Sequence, residues 1–430
     1  MEWAIQIDEE LKSHDPSIEK ELWDRHCIYK VPSCVKELNK RAYTPKMASF
    51  GPYHHGEEHL KAMEEHKHRA LLYFLKRCQK PIGSVLQRMD QVVQELRNSY
   101  KPLDPIWVED TPKFLQLMIL DGCFMLEIFR VNHNINDYAD NDPVFGNIYV
   151  RLNLKCDMSL LENQLPMKVL HTLLEFETGQ TQEDEWLNEK IARFIYPLAF
   201  GKEPIPSFGK CMHVLDSVYY DLLVVDGAEG GENMDSSYVP YFSETGRPVV
   251  ELREAGILFE KNQTGSLNDI YFDSHRGVLT LPTLRVDDTM ESKLLNLMAF
   301  ERLHPGAGNK ITSYVYFMDF IIDTEKDIAI LEQKGILINR LGSDKALARM
   351  FNSISKEIIV DRVDSRVVWI HLVLEDISDY CKKPWNNWRA NLIQTYFRNP
   401  WATISLVVAI FLFALTTLQT VYTIAQFYDG

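Results

Sequence analysis

The C-terminal end of the sequence is its most continuous apolar stretch. Residues from Trp401 to Tyr428 include no Asp, Glu, Lys or Arg, and the part from Ile404 to Leu415 is almost wholly apolar. A helix of about 20 such residues rises about 1.5 Å per residue, so it crosses the roughly 30 Å hydrocarbon layer of a bilayer. This pattern predicts a transmembrane helix over residues 401–425, followed by a short tail at 426–430.

Upstream of this stretch, most apolar positions repeat at the spacing of an α-helix. Two amphipathic helices are expected over 60–75 and 85–96, separated near Pro81. The segment from Phe114 to Val131 is apolar on nearly every side, which is typical of a helix at the centre of a bundle. Further helices are expected over 160–175, 185–196, 210–225, 289–303, 311–322, 324–334 and 344–358, the last with Ser343 in the N-cap position.

One segment departs from the helical period. From Val249 to Val286, short runs rich in branched and aromatic residues alternate with glycine and proline, which predicts a small antiparallel meander. The fold class expected is therefore mainly α: a compact helical body with a small antiparallel β insert at about 249–286, plus one C-terminal transmembrane helix. Residues 1–22 form a lead-in, 23–380 the body, and 381–400 a basic aromatic linker before the membrane.

The residues that flank the apolar stretch predict its orientation. Basic residues precede it and none follows, and aromatic rings stand at both borders, where amphipathic rings prefer the membrane interface. These flanking residues are Lys382, Lys383, Arg389, Arg398, Trp401 and Tyr422. No signal peptide is visible among the first twelve residues. We therefore expect a single-pass tail anchor with the body in the cytosol, in either the plasma membrane or the endoplasmic reticulum.

The composition indicates which kinds of partner and which cellular compartment to expect. The formal net charge is −15, and an acidic chain repels phosphate backbones, so nucleic-acid binding is not expected. Acidic residues concentrate in the stretches 168–190 and 210–247, which are either solvated loops or docking sites for a basic protein partner. The seven cysteines are scattered and include no C-x-x-C pair, which favours reduced thiols over a disulfide framework or a zinc ribbon.

The densest histidine cluster lies at Gly51–His59. The segment from His55 to His59 satisfies H-x-x-E-H, in which two histidines one helical turn apart hold zinc while Glu58 activates water. Proline and glycine within the cluster disfavour the regular helix that this geometry needs. Glu127 is an open choice for a third ligand. The alternative is a Gly-Pro-Tyr turn in which His54 and His55 bond to neighbouring backbone.

Polar residues also interrupt two strongly apolar segments. Asp121 lies inside the predicted core helix, and Glu162, Asn163 and Gln164 lie between leucines. Buried carboxylates and amides must find hydrogen-bonding partners, so these residues are either structural hydrogen-bond hubs or part of a site. Glycine-rich phosphate loops with Walker spacing and the G-x-S-x-G nucleophile motif do not occur in the sequence.

Nine short motifs, in this order, resemble the plant family catalogued as domain of unknown function 247. They are Cys27–Pro32, Ser49–Gly56, Met63–Lys67, Leu120–Phe124, Leu161–Pro166, Leu252–Gly256, Ile311–Tyr314, Leu341–Asp344 and Trp385–Arg389. The likeness extends from about Trp23 to Tyr428. It implies a helical body, a C-terminal membrane helix, and no established catalytic activity, metal or cofactor. The family pattern retains His54, His55 and His66 more readily than His59, which weakens the zinc interpretation.

Two hypotheses follow for the function. The first is a non-catalytic interaction or signalling module, anchored in a plant membrane, that binds no cofactor and presents acidic loops to a protein partner. The second is a membrane-tethered zinc hydrolase that uses His55, Glu58 and His59. The sequence leaves the partner, the oligomeric state and the biological process open.

Overall fold

The computed structural model describes residues 16–131, 138–181, 184–195, 209–223, 246–262, 266–357, 368–383 and 400–429, together with 3–5, 7 and 11. Most of the acidic stretch 210–247 and two of the predicted membrane-flanking residues, Arg389 and Arg398, lie outside these residues. The part that the structure describes is mostly helical with small sheets. The mainly α fold class is thereby confirmed.

Among the described residues, the N-terminal half contains ten α-helices and one pair of short strands. The helices are α1 (Pro16–Arg25), α2 (Ser33–Lys36), α3 (Glu64–Cys78), α4 (Ile82–Asp90), α5 (Val93–Asn98), α6 (Pro105–Glu109), α7 (Thr111–Val131), α8 (Ile148–Asp157), α9 (Met167–Thr178) and α10 (Asp184–Ile195). Strands β1 (Ile28–Tyr29) and β2 (Tyr100–Lys101) pair in parallel. This pairing holds the segment before α2 against the end of α5.

Helix α7 is the central helix, as its all-round apolar pattern predicts. Its side chains are buried along almost the whole length, and α3, α4, α6, α9 and α10 pack against it. At Gly122 a Cβ atom would come within 2.7 Å of side-chain atoms of Val169 and Leu173 on α9. Glycine therefore lets α7 and α9 approach closely at this point.

Helix α9 begins later than the sequence pattern predicts. The apolar residues over 160–175 indicate one helix, but residues 160–166 form a turn and the helix starts at Met167, directly after Pro166. Proline disfavours the helical conformation in the residue before it. In addition, side chains of this turn form hydrogen bonds with backbone groups and so compete with helical hydrogen bonds. The helix ends at Gly179, which has a left-handed φ of +73°.

The C-terminal half forms a second layer of helices around the same continuous apolar core. Its helices are α11 (Val214–Leu223), α12 (Val249–Glu254), α13 (Met290–Leu303), α14 (Lys310–Ile321), α15 (Glu325–Gln333), α16 (Asp344–Ile354) and α17 (Val368–Lys382). As predicted, Ser343 caps α16, and its side chain accepts a hydrogen bond from the N–H of Ala346. Short 3-10 helices occur at Lys40–Ala42, Glu58–Met63 and Ser355–Glu357.

The β insert differs from the predicted antiparallel meander. Strands β3 (Leu258–Lys261), β4 (Tyr271–Asp273) and β5 (Val278–Leu281) form one sheet in the order β3-β5-β4. The β4–β5 pair is antiparallel, but β3–β5 is parallel, so the expectation of a purely antiparallel sheet is wrong. The most buried strand, β5, takes the central place.

A second pair of strands joins the end of the predicted insert to a segment outside it. Strand β6 (Leu284–Val286) pairs in parallel with β7 (Leu337–Asn339), which follows α15 far along the chain. Helix α12 occupies the start of the segment that the pattern assigns to strands. Pairing over this distance leaves no local signature in the sequence.

The last helix, α18 (Pro400–Asp429), extends past both predicted ends of the apolar span. Its window Val407–Ile424 has a mean hydropathy of 1.9 and none of its residues is buried. Of the described residues, only this helix is long and apolar enough to cross a membrane, judged by length and composition. Its hydroxyl groups donate to carbonyls one turn back at 2.8 Å, at Thr416, Thr417, Thr420 and Thr423.

Candidate functional site

Asn163, one of the predicted hub residues, joins three backbone segments. Its Oδ1 accepts a hydrogen bond from the N–H of Phe50 at 2.7 Å. Its Nδ2 donates to the carbonyls of Ala48 and Asp157, at 3.0 and 2.9 Å. The side chain is fully buried, so every partner would be left without water if the amide were lost.

Gln164 performs the same role on the other side of the turn. Its Nε2 donates to the carbonyls of Met158 and Leu160, each at 2.7 Å, and its Oε1 accepts from the N–H of Leu215 at the start of α11. The amide thus stabilises the turn and binds the C-terminal half to it. Because all of these polar atoms are used internally, Gln164 offers nothing to a ligand.

Glu162 forms the centre of a buried charged group. Its carboxylate accepts a hydrogen bond from the N–H of Val31 at 2.6 Å, pairs with Lys36, and lies 3.3 Å from Nε2 of His54. Nδ1 of His54 is 2.7 Å from Glu57. Burial disfavours the carboxylate, but His54 and Lys36 outweigh that effect and the pKa of Glu162 is lowered. His54 of the histidine cluster and the predicted hub residue Glu162 are therefore brought together.

Asp121 lies in a second buried group and is fully inaccessible to solvent. Its carboxylate is 2.7 Å from Nζ of Lys67 and accepts a hydrogen bond from the N–H of Gly51 at 2.8 Å. The ammonium group also lies 2.7 Å from Glu64 and donates to Ser49. Burial disfavours the ammonium form, but the two carboxylates outweigh it, so the pKa of Lys67 is raised.

Gly51 must be glycine for two reasons. Its φ is +77°, a left-handed value that side chains other than glycine adopt at a cost. A Cβ atom would also lie 2.6 Å from the carbonyl oxygen of Gln164 and 2.9 Å from the hydroxyl of Tyr100. The Ser49–Gly56 motif is thus a packed turn that places backbone N–H groups against Asp121 and Asn163.

The zinc interpretation requires His55 and His59 on one α-helix, and the structure places them elsewhere. His55 precedes a 3-10 helix that begins at Glu58, is exposed, and contacts the Trp107 ring edge-on with centroids 5.5 Å apart. Nε2 of His59 lies 3.0 Å from the carbonyl of Pro45. Within the described ranges, no three His, Cys, Asp or Glu side chains are grouped as metal ligands. The helical pairing on which the motif depends is not formed.

Glu127, which the sequence left as a possible third zinc ligand, forms ion pairs with arginines. Its buried carboxylate pairs with Arg77, lies 3.5 Å from Nε of Arg130, and accepts a hydrogen bond from Tyr138 at 2.8 Å. Both arginines also pair with Glu177. Glu127 therefore belongs to an arginine–carboxylate network that joins α3, α7 and α9.

Within the acidic stretch 168–190, three of the described carboxylates pair with arginines and a fourth contacts a histidine. Glu175 pairs with Arg88, Glu177 with Arg77 and Arg130, Asp184 with His171, and Glu189 with Arg193. These described residues do not form a bare acidic surface. The second stretch, 210–247, lies mostly outside the described residues.

A cleft of about 950 Å³ was not indicated by any sequence pattern. It is bounded by α1, α5, α9, α10 and residues 210–212. Its polar groups include Lys168, His171, Asp184 and Lys210, while Cys27 and Cys211 line it more deeply. A concave site of this volume with a few converging polar groups is the usual form of a ligand or peptide site.

The His171–Asp184 pair is the chemically distinctive feature of the cleft. Nε2 of His171 lies 2.9 Å from Oδ1 of Asp184. Burial lowers the pKa of His171 although Asp184 opposes it, so the neutral ring serves as both donor and acceptor near pH 7. Burial raises the pKa of Cys27 and of Cys211 to about 12, which keeps both thiols protonated. The cleft is suited to binding through hydrogen bonds and charge.

His213 next to this cleft predicts a pH dependence of stability. Its Nε2 lies 2.9 Å from the carbonyl of Cys27 and its Nδ1 accepts from the N–H of Asp216, so the ring is neutral with the proton on Nε2. Burial lowers its pKa to about 3. Below about pH 6.5 the His213 side chain is protonated in the unfolded chain but stays neutral in the folded chain. The free energy of unfolding therefore falls as the pH falls.

We therefore expect the wild-type chain to lose about 2 kcal/mol more stability than His213→Gln between pH 7 and pH 5. Urea unfolding of the full chain in a mild detergent, followed by circular dichroism, measures this difference. His68→Gln, which changes an exposed histidine, is the control. Equal losses in wild type and His213→Gln would contradict the assignment.

The predicted membrane-flanking residues are only partly described. Lys382 pairs with Asp379 at 2.9 Å at the end of α17, and both are exposed. Trp401 and Tyr422 lie within α18, where Tyr422 is exposed. Asn262 begins the N-glycosylation sequon Asn-Gln-Thr, and its side-chain amide donates to the backbone carbonyl of Asp269 at 2.9 Å.

Comparison with known proteins agrees with the resemblance seen in the motifs. A family model described as "Plant protein of unknown function" (DUF247) matches residues 28–415. The UPF0481 protein At3g47200 of Arabidopsis thaliana is 29% identical over 93% of this chain and 87% of its own length. A second UPF0481 protein of Arabidopsis thaliana, At3g02645, is 23% identical over 97% of this chain and 93% of its own length. No solved structure matches. The chain therefore belongs to the DUF247 family of plant proteins of unknown function.

Proposed function

We propose that this protein is a single-pass, C-terminally anchored plant membrane protein that acts as a non-catalytic interaction or signalling module. The observation that carries the proposal is α18, in which large apolar side chains are exposed throughout the window Val407–Ile424. Exposing so much contiguous apolar surface to water is unfavourable, and a bilayer removes this cost. The family assignment is consistent with this role and names no activity.

The orientation that we propose places the body in the cytosol. Lys382 and Lys383 precede α18, as do Arg389 and Arg398 in the sequence. Basic residues near a span favour the cytosolic side. Free thiols at all seven cysteines are compatible with a reducing compartment.

The cleft is the proposed docking site for a segment of a protein partner. The charged residues that the sequence singled out are mostly engaged in buried pairs. Lys168, Lys210 and the neutral His171 line the cleft, where Lys168 lies 3.9 Å from Glu95 and His171 contacts Asp184. A polypeptide segment supplies both hydrogen-bonding backbone and side chains for such a mixed surface. Its volume is appropriate for a few side chains of a partner.

Cell fractionation tests the anchor. We expect the full chain to remain in the membrane pellet after carbonate extraction, and a chain that ends at residue 399 to appear in the supernatant. An N-terminal tag should be digested by protease added to sealed, right-side-out endoplasmic-reticulum vesicles, whose cytosolic face is outward. A protected tag together with glycan on Asn262 would contradict the cytosolic orientation.

Proximity labelling in plant tissue tests the interaction role with the same tagged chains. Proteins labelled by the wild type should be lost with His171→Trp, which fills the cleft, and kept with Lys345→Trp, an exposed position on α16. A zinc-dependent activity would contradict the proposed role. Stoichiometric zinc in the purified full chain, lost together with a hydrolytic activity in His55→Ala, would replace this proposal with an enzyme.

A further inference from the structure

Gln419 is a polar side chain within the apolar part of α18. It lies inside the window Val407–Ile424 and is exposed on the surface of the helix. The threonine hydroxyls on either side of it each donate to a carbonyl of their own helix, one turn back. Within the part of the chain that the structure describes, the amide of Gln419 has no such partner.

In the proposed membrane, Gln419 lies within the hydrocarbon layer. At about 1.5 Å per residue, it is about 5 Å from the middle of the window Val407–Ile424 and about 9 Å from the middle of the span 401–425. Both distances are less than the half-thickness of the hydrocarbon layer, which is roughly 15 Å. Helical side chains also lean toward the N-terminus of their helix, which directs this amide toward the bilayer centre. An amide without a partner in hydrocarbon is unfavourable, so Gln419 needs a partner from outside its own helix.

The residues on the same face of α18 as Gln419 are mostly small or polar. At about 100° of rotation per residue, they fall within about 100° of the helix surface, which we call the Gln419 face. Besides Gln419, this face includes Ser405, Val408, Ala409, Leu412, Thr416, Thr423 and Gln426. The opposite face carries larger apolar residues, among them Ile410, Leu418 and Val421. Small residues let two helix backbones approach closely, and polar side chains form hydrogen bonds between membrane helices.

We propose that α18 pairs in parallel, through the Gln419 face, with α18 of a second copy of this chain. The pairing rests on the proposed membrane anchor, because only a bilayer removes water from Gln419. A second copy inserted in the same direction presents its own Gln419 at the same depth. Each amide both donates and accepts hydrogen bonds, so a two-fold pair satisfies both amides at once. A helix of another protein would need an unrelated polar group at that depth.

Energy transfer between donor-labelled and acceptor-labelled full chains in phospholipid vesicles measures this pairing. We expect transfer above the level of randomly placed chains, and we expect it to fall as added lipid dilutes the protein. Gln419→Leu removes the hydrogen bonds between the helices, so about tenfold more protein per lipid should be needed for the same transfer. The matched control is Thr417→Leu, on the opposite face, where the lost hydroxyl donates to the carbonyl of Phe413 of its own helix. It should leave the dilution curve unchanged.

Substitutions of small residues test the face independently of the amide. Ala409→Leu adds bulk to the Gln419 face and should weaken the pairing, whereas Ala414→Leu makes the same change on the opposite face and should not. Oxidative cross-linking in membranes maps the contact directly. Thr416→Cys, on the Gln419 face, should give more disulfide-linked dimer than the wild-type chain does, and Thr417→Cys should not.

Carbonate extraction of the same chains separates the pairing from the anchor on which it rests. All variants should remain in the membrane pellet. Release of the wild-type chain by carbonate would overturn the anchor and the pairing together. Equal shifts for Gln419→Leu and Thr417→Leu in a pelleted chain would overturn the pairing alone. Energy transfer no higher than the random level would also overturn it, and would assign the partner of Gln419 to a helix of another protein.

Discussion

Replacement of Lys67 by methionine is expected to destabilise the body by about 3 to 5 kcal/mol, the usual consequence of removing one partner from a buried ion pair. Lys67 and Asp121 are both fully buried and 2.7 Å apart. Methionine fills the volume of the lysine stem, so the loss reflects the uncompensated carboxylate. Asp121 is then left with only the N–H of Gly51 and no counter-charge.

Two further variants show whether the loss arises from the pair. Lys67→Met combined with Asp121→Asn removes both charges while an amide oxygen still accepts from Gly51, so the double variant should be more stable than Lys67→Met alone. Lys61→Met is the surface control, because Lys61 pairs with Glu58 at 2.5 Å where both are exposed, and it should cost less than about 1 kcal/mol. Urea unfolding of the full chain in detergent measures all three. A double variant less stable than Lys67→Met would refute the ion-pair explanation.

The second large effect is expected at Asp157, a residue that the sequence analysis did not single out. Its two oxygens accept hydrogen bonds from the N–H groups of Lys46, Met47 and Ala48 at 2.7 to 2.9 Å, and the side chain is buried. Asp157→Ala leaves three donors without an acceptor. Each such donor costs about 1 to 3 kcal/mol, so we expect a loss of at least about 3 kcal/mol.

Asp157→Asn should give an intermediate loss, because its amide oxygen still accepts while its NH₂ group opposes the remaining donor. The matched control is Asp273→Ala, in which the side chain accepts from two consecutive N–H groups in a solvent-exposed turn. Water replaces the lost acceptor there, so the change should be smaller. Thermal melts of the full chain in detergent rank the variants, and equal losses for Asp157→Ala and Asp273→Ala would contradict the role of burial.

Some residues of the candidate site could be identified from the sequence because they are polar residues flanked by apolar ones. Asp121 stands among apolar residues, and Glu162, Asn163 and Gln164 stand between leucines, so burial and the need for partners followed directly. The identity of their partners could not be inferred from the sequence. Lys67 and Val31 are ordinary residues of other segments, and only folding brings them to these carboxylates.

The cleft had no signal of this kind. It is bounded by segments that run from α1 to residue 212. These segments have no fixed spacing that a motif could capture. The zinc motif shows the converse, since the H-x-x-E-H spacing of His55 and His59 is present while the helix that gives it meaning is absent.

The sequence by itself determined the mainly helical class, the central helix α7 and the apolar C-terminal helix, since all three depend on local periodicity and on continuous apolar length. Only the tertiary structure decided the order of the β3-β5-β4 sheet, the ion pairs within the acidic stretch 168–190, the cleft, and the buried charge pairs. These depend on which distant segments meet. Hydrophobic pattern specifies which faces are buried, but contact between particular polar groups is settled when the segments pack and every buried charge must find a partner.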